Sequence, residues 1–143
     1  MAAPYTGRCE CGAVTAKIKG EPLLVAECWC RQCQKLTGGP GTTNARFNLD
    51  DIEMSGELAS LDYTAASGNS YSQMFCPKCG NPVMAKSSGR PTARTLRLGF
   101  LDAGHGLKPS IAIWLSEAPD WAVIDPDIDR HDTQPPIPQQ FAS

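Results

Sequence analysis

The feature that most constrains this chain is a run of three cysteines in six residues, Cys28-Trp29-Cys30-Arg31-Gln32-Cys33. Thiols so close can converge on one ion with little loss of chain entropy, because the loops they close are short. If residues 28 to 30 are extended, Cys28 and Cys30 project from one face and Trp29 from the other. Cys30-x-x-Cys33 then has the spacing of a turn that brings two thiolates to about 2.3 Å from a zinc ion. Three protein ligands on a four-coordinate ion leave one position open. That is the usual arrangement where zinc meets a substrate or water, whereas structural zinc is closed by four protein ligands.

The remaining cysteines come in two close pairs, Cys9-Glu10-Cys11-Gly12 and Cys76-Pro77-Lys78-Cys79-Gly80. By strand alternation Cys9 and Cys11 can share a face, and the later pair has zinc-knuckle spacing, with Gly80 suited to the sharp turn. Seven cysteines is an odd number, so a disulfide framework would leave one thiol over. In a reducing compartment such pairs are more often metal ligands than bridges. The Cys76/Cys79 pair also has thioredoxin-type spacing, but the βαβ context that motif needs is missing. Spacing leaves two groupings open. Cys30, Cys33, Cys76 and Cys79 would resemble a zinc ribbon, with an intervening stretch far longer than the ~15 to 20 residues usual there. Alternatively Cys9, Cys11, Cys76 and Cys79 share one ion and Cys28, Cys30 and Cys33 another, which leaves no thiol stranded.

The rest of the chain reads as strands. Val14 to Lys19, Leu23 to Glu27, Thr42 to Phe47, Ile52 to Gly56, Leu58 to Thr64, Tyr71 to Phe75, Thr95 to Phe100 and Ser110 to Leu115 are short, strand-like pieces divided by Gly, Pro and Asn. After Cys33 at most one helical turn fits before Gly38-Gly39-Pro40-Gly41. This loop either brings backbone N–H groups close to a ligand or simply turns. Many short strands without a long helix predict a mainly β domain. A chain of 143 residues is one ordinary domain, and a net charge of −2 speaks against nucleic acid as a partner. No apolar run approaches the ~20 residues of a membrane span, and the N-terminus has no apolar signal core, so a cytoplasmic location away from membranes is expected.

The order C-x-C-G, then C-x-C-x-x-C followed by Lys35-x-Thr37-Gly38, then Phe75-Cys76-x-x-Cys79-Gly80-x-Pro82, resembles the glutathione-dependent formaldehyde-activating enzyme family, which includes centromere protein V. The resemblance runs from Gly7 to about Asp125, through Leu101-Asp102, Lys108-Pro109, Ile113-Trp114 and Ala118-Pro119-Asp120-Trp121. It implies an Mss4-like fold of short antiparallel strands organised around two zinc ions per chain. Residues 1–130 would be the zinc domain and residues 131–143 a Pro/Gln-rich tail, loose or draped. It assigns Cys9, Cys11, Cys76 and Cys79 to a structural zinc, and Cys28, Cys30 and Cys33 to a second, catalytic one. The implied activity is that of a carbon–sulfur lyase, adding a thiol such as glutathione to an aldehyde such as formaldehyde, to give S-(hydroxymethyl)glutathione, or reversing that step. Three thiolates make a soft, weakly Lewis-acidic site suited to another sulfur, and a coordinating thiol is deprotonated. The alternative is a non-catalytic zinc-binding interaction module with both sites structural, in which a fourth protein ligand closes the second zinc.

One departure concerns proton transfer. Many relatives carry His between the first two central cysteines, and this chain has Trp29, read here as a packing residue. His105 and His131, the only histidines, are expected at the surface. Arg31, Lys35, Arg46, Arg94 and Arg97 are candidates for pairing with the carboxylates of a glutathione-like ligand, or are solvated strand charges. Trp114 and Trp121 are expected in or near the core.

Overall fold

The computed structural model describes residues 3–135. In chain order its elements are β1 (Tyr5–Arg8), β2 (Thr15–Ile18), β3 (Leu24–Cys28), α1 (Arg31–Thr37), β4 (Thr42–Asn48), β5 (Ile52–Ser55), β6 (Ala59–Thr64), β7 (Ser70–Phe75), β8 (Pro82–Ser87), β9 (Ala93–Arg97), β10 (Ile111–Ile113) and β11 (Asp129–Arg130). The mainly β expectation holds. β1, β2 and β5 form a small antiparallel sheet. The other strands make one large sheet in the order β11-β10-β3-β4-β9-β8-β7-β6, antiparallel except where β10 runs parallel to β3 and β11.

Strict alternation decides what each face of the large sheet does. The row Val25, Ala45, Leu96 and Met84 follows the register across β3, β4, β9 and β8. It packs on Tyr5, Val14, Ala16 and Ile18 of the small sheet, with Phe47 against Tyr5 at a ring-centroid separation of 5.9 Å. Side chains such as Phe47, Ile18 and Leu96 are wholly buried, each contributing about 1.5–3 kcal/mol relative to exposure. The opposite face is polar and carries Cys28, Thr42, Asn44 and Arg97, which the register sets side by side on neighbouring strands.

Several elements differ from the sequence expectation. The helix after the central cysteines has seven residues, because it starts at Arg31, with Cys30 as its cap, and stops where Gly38 turns left-handed at φ 91°. The strand expected over Thr95 to Phe100 ends at Arg97, where Leu98–Phe100 wind into a 3₁₀ turn that packs Phe100 against Gly7. The strand expected over Ser110 to Leu115 ends at Ile113, since Trp114 takes a left-handed conformation, φ 60°, and leads into a second 3₁₀ turn. Trp114 is therefore only half-buried, and Trp121 is 61 % exposed rather than in the core. Of the tail expected over residues 131–143, residues 136–143 lie outside the described residues. His131 N–H donates to Ala112 O, and Ser116 N–H to Asp132 O.

Candidate metal centres

The seven sulfurs gather into two groups, one of Cys9, Cys11, Cys76 and Cys79 and one of Cys28, Cys30 and Cys33. In each, all sulfurs lie within 4.8 Å of one another. The zinc-ribbon grouping is thereby ruled out, because Cys30 and Cys33 belong to one group and Cys76 and Cys79 to the other. All seven thiols are unbridged.

The first group joins two turns. Cys9 and Cys11 do not converge by strand alternation, since β1 has ended. They sit in a tight turn between β1 and β2, where Gly12, φ 78°, donates to Cys9 O at 3.0 Å. Cys76 and Cys79 lie on the knuckle between β7 and β8, where Gly80, φ 76°, donates to Cys76 O at 2.8 Å. Glu10 N–H reaches across to Asn81 Oδ1 at 2.7 Å and locks the turns together. A tetrahedron with ~2.3 Å bonds to sulfur has edges of ~3.8 Å. Cys9 and Cys11 sulfurs stand 3.7 Å apart, as do those of Cys11 and Cys76, so the donor set fits a tetrahedral thiolate site.

The second group forms where β3 ends. Cys28 is the last residue of that strand, and Cys30, still extended at φ −61° and ψ 155°, caps the helix by accepting from Cys33 N–H at 3.4 Å. Extension places Cys28 and Cys30 on one side and the first helical turn swings Cys33 to meet them. Trp29 points away as expected. It is 7 % exposed, donates from Nε1 to Glu27 Oε1 at 3.2 Å, and takes the edge of Trp121 with ring centroids 6.1 Å apart. Gly38 and Gly39 both donate to Gln34 O at 2.9 Å, so the glycine loop spends these N–H groups on ending the helix rather than on a ligand. Among the described residues no further Cys, His, Asp or Glu joins the three sulfurs. The set can hold zinc with three bonds.

A chain of buried polar side chains runs behind the sulfurs. Thr42 Oγ1 donates to Cys33 Sγ at 3.2 Å, Asn44 Nδ2 donates to Thr42 Oγ1 at 2.9 Å, and Arg97 donates to Asn44 Oδ1 and Gln73 Oε1. Since Gln73 Oε1 is taken by a cation, its Nε2 must face the other way, and it donates to the Tyr63 hydroxyl at 3.0 Å. Arg97 is buried without a carboxylate among these partners, so the thiolates are the anions that offset it. Hydrogen bonds from the Cys28 and Cys30 thiols, then Thr42, then the charge of Arg97, hold the Cys33 thiol at about 3. The same sharing among sulfurs pushes Cys28 upward.

The three sulfurs open onto a cavity of about 710 Å³, lined also by Tyr63, Tyr71, Gln73, Arg90, Trp114 and Thr133. Tyr63, Gln73 and Arg90 were not singled out from sequence. A second cavity, of about 550 Å³, lies between Cys9, Arg8 and Phe100 and reaches none of these three sulfurs. Of the arginines and lysines proposed from sequence, Arg31 lines the first cavity, Arg97 lines the second and touches the first only through its bond to Gln73, and Lys35 is exposed on the helix. Arg94 bonds only the carbonyls of Ala93 and Pro91. His105 does not line the cavity, and its Nδ1 accepts from Leu107 N–H at 2.9 Å.

Comparison with known proteins bears on the same residues. No curated protein matches the chain. Among solved structures, the fold is similar to that of a Rhodobacter sphaeroides protein determined as a structural-genomics target, with a TM-score of 0.55 and 22 % identity over 73 % of this chain and 91 % of that one. The family described as glutathione-dependent formaldehyde-activating enzyme matches residues 4–117, which contain both sulfur groups and every strand but β11. The chain belongs to the glutathione-dependent formaldehyde-activating enzyme family.

Proposed function

We propose that this protein is a cytoplasmic zinc-dependent carbon–sulfur lyase that joins a thiol such as glutathione to an aldehyde, or reverses that step. What carries the reading is the three-sulfur group, open to a cavity and without a fourth protein ligand among the described residues. A zinc ion held there by Cys28, Cys30 and Cys33 would supply a soft Lewis acid with a free position for a thiolate, while Cys9, Cys11, Cys76 and Cys79 would hold a structural zinc. The protein's own groups then orient the reaction. Thr42 and Arg97 fix the Cys33 sulfur and offset the excess negative charge of three thiolates.

Addition makes a carbon–sulfur bond, converts the carbonyl oxygen to a hydroxyl and requires a proton at that oxygen. Trp29 is buried on the other side, and its indole N–H, too weak an acid to transfer its proton, is engaged by Glu27. Tyr63 can supply the proton. Its oxygen already accepts from Gln73, so its own O–H is free to donate into the cavity it lines. Burial, helped by the nearby thiolates of Cys33 and Cys30, raises the phenol above its ordinary value and keeps it protonated. The thiol's proton leaves to solvent, and Tyr63 recovers one from solvent, so the sum is thiol plus aldehyde to hydroxyalkyl thioether.

The test is exchange spectroscopy of glutathione and ¹³C-formaldehyde with the zinc-loaded protein, alongside calorimetric titration of glutathione. Acceleration of adduct formation and breakdown over the spontaneous rate is the expected result. Absence of any acceleration by protein carrying two zinc ions would discard the enzyme in favour of an interaction module.

A further inference from the structure

One cation lines the cavity away from the sulfurs and a second stands beside it, neither with a carboxylate partner among the described residues. Arg90 lies in the turn between β8 and β9 and lines the cavity. Arg46 lies on β4, on the polar face that also carries Thr42 and Asn44, and both arginines are half-buried. The Nε of each is buried and unbonded, and among the described residues no carboxylate or carbonyl engages either guanidinium. Arg94 and Arg130, by contrast, are taken up by backbone carbonyls, and Arg97, whose Nε is likewise unbonded, is taken up by Asn44 and Gln73. Burial, and next the neighbouring Arg90, lower Arg46 to about 10, so the two charges feel each other. Two adjacent, partly desolvated guanidinia without an acid cost stability in the free protein, which is characteristic of a site built for an anion. Guanidinium suits the two oxygens of a carboxylate.

We infer that Arg46 and Arg90 form an anion site that takes a carboxylate of the thiol substrate, holding that end while the sulfur lies at the three-cysteine group. The inference rests on the carbon–sulfur reading for the sulfur end only. Thr42, which bonds Cys33, and Arg46 are four residues apart on one strand, a span of about 13 Å. The substrate is therefore an extended, carboxylate-bearing thiol rather than a small neutral one.

The test uses the zinc-loaded full chain and S-methylglutathione, whose blocked sulfur cannot act as a thiolate, with its dimethyl ester as the neutral control. Calorimetry should find S-methylglutathione bound by the wild type and about tenfold or more weaker in Arg90→Gln and in Arg46→Gln, with the ester indifferent to either change. Without ligand, both variants should unfold at a higher temperature than the wild type, because an uncompensated cation has gone. Equal binding by the wild type and both variants overturns the site, as does a wild type that ignores S-methylglutathione at millimolar concentration. Variants that unfold at a lower temperature while binding unchanged would likewise make the arginines packing residues. A protein that binds S-methylglutathione through these arginines yet leaves formaldehyde exchange unaccelerated keeps the anion site and loses the lyase reading. One that accelerates exchange with neutral thiols and ignores S-methylglutathione does the reverse.

Discussion

Cys30 serves two purposes at once, as a sulfur of the open group and as the acceptor that caps the helix. Its replacement tests whether the group is catalytic or structural. A lost cap costs about 1 kcal/mol, far less than the 5–15 kcal/mol that keeps a domain folded. Cys30→Ala should therefore give a folded protein with one zinc fewer and no turnover, as read by metal analysis, circular dichroism and the exchange assay, and unchanged turnover would refute the mechanism. Tyr63 gives the complementary test. Its ring lies tilted against that of Tyr71 with centroids 5.5 Å apart and its hydroxyl makes one bond, accepting from Gln73, so Tyr63→Phe keeps the ring and removes the hydroxyl, taking away the proton together with that one bond. A positioned acid is worth about 10²–10⁴ in rate. The rate of adduct exchange should fall at least a hundredfold on that scale with glutathione affinity unchanged, and a rate within a factor of a few of wild type would remove Tyr63 from the reaction.

At the level of elements, what could be read in advance was whatever repeats with a short period. Alternation marked β2, β9 and β10, and the spacing of Cys28, Cys30 and Cys33 predicted a shared face and a turn, both of which the strand end and helix cap supply. What was not legible depends on contacts between distant segments or on backbone states without a residue signature. A left-handed Trp114 has no glycine to announce it, and it ends β10 early. A cysteine cap is not among the usual Ser, Thr, Asp and Asn signals, so α1 looked like a single turn. Tyr63, Gln73 and Arg90 reach the cavity only because β6, β7 and the β8–β9 turn lie across the sheet from the sulfurs. Gly41 shows the same dependence. A Cβ there would stand 2.3 Å from Cys28 O, so only glycine lets β4 begin beside the end of β3. Gly41→Ala should force that strand pair apart, costing about 1–3 kcal/mol of stability and loosening Cys28 from the other two sulfurs. Calorimetric unfolding and zinc retention both report it, and a variant with wild-type melting and metal content would show that the backbone gives way freely.

Across the whole molecule the two sulfur groups differ in what they hold together. Cys9 and Cys11 hang from the small sheet, whereas Cys76 and Cys79 hang from the large one, and the core lies between. A metal there ties the two layers across sixty-five residues of chain, from Cys11 to Cys76. Cys28, Cys30 and Cys33 are local, and their strand and helix are already fixed by β4 and by the Gln34 bonds to Trp29 O and Glu117 O. Structural zinc in small domains contributes about 10–16 kcal/mol of apparent binding energy, as large as the whole net stability of a domain, so removing it from the four-sulfur site should unfold the protein. Removing zinc from the open site should not, since three bonds and a solvent-facing position also make that ion the easier one for a chelator to reach. Titration with a strong chelator, followed by metal analysis and far-ultraviolet circular dichroism together, is expected to release zinc in two stages. The first should abolish adduct exchange with the β signal intact, and the second should coincide with unfolding, while Cys76→Ser should resemble the end state of the second stage from the outset. Loss of both ions in a single step with the fold would contradict this division of labour, and so would a fully stripped protein that keeps its native spectrum.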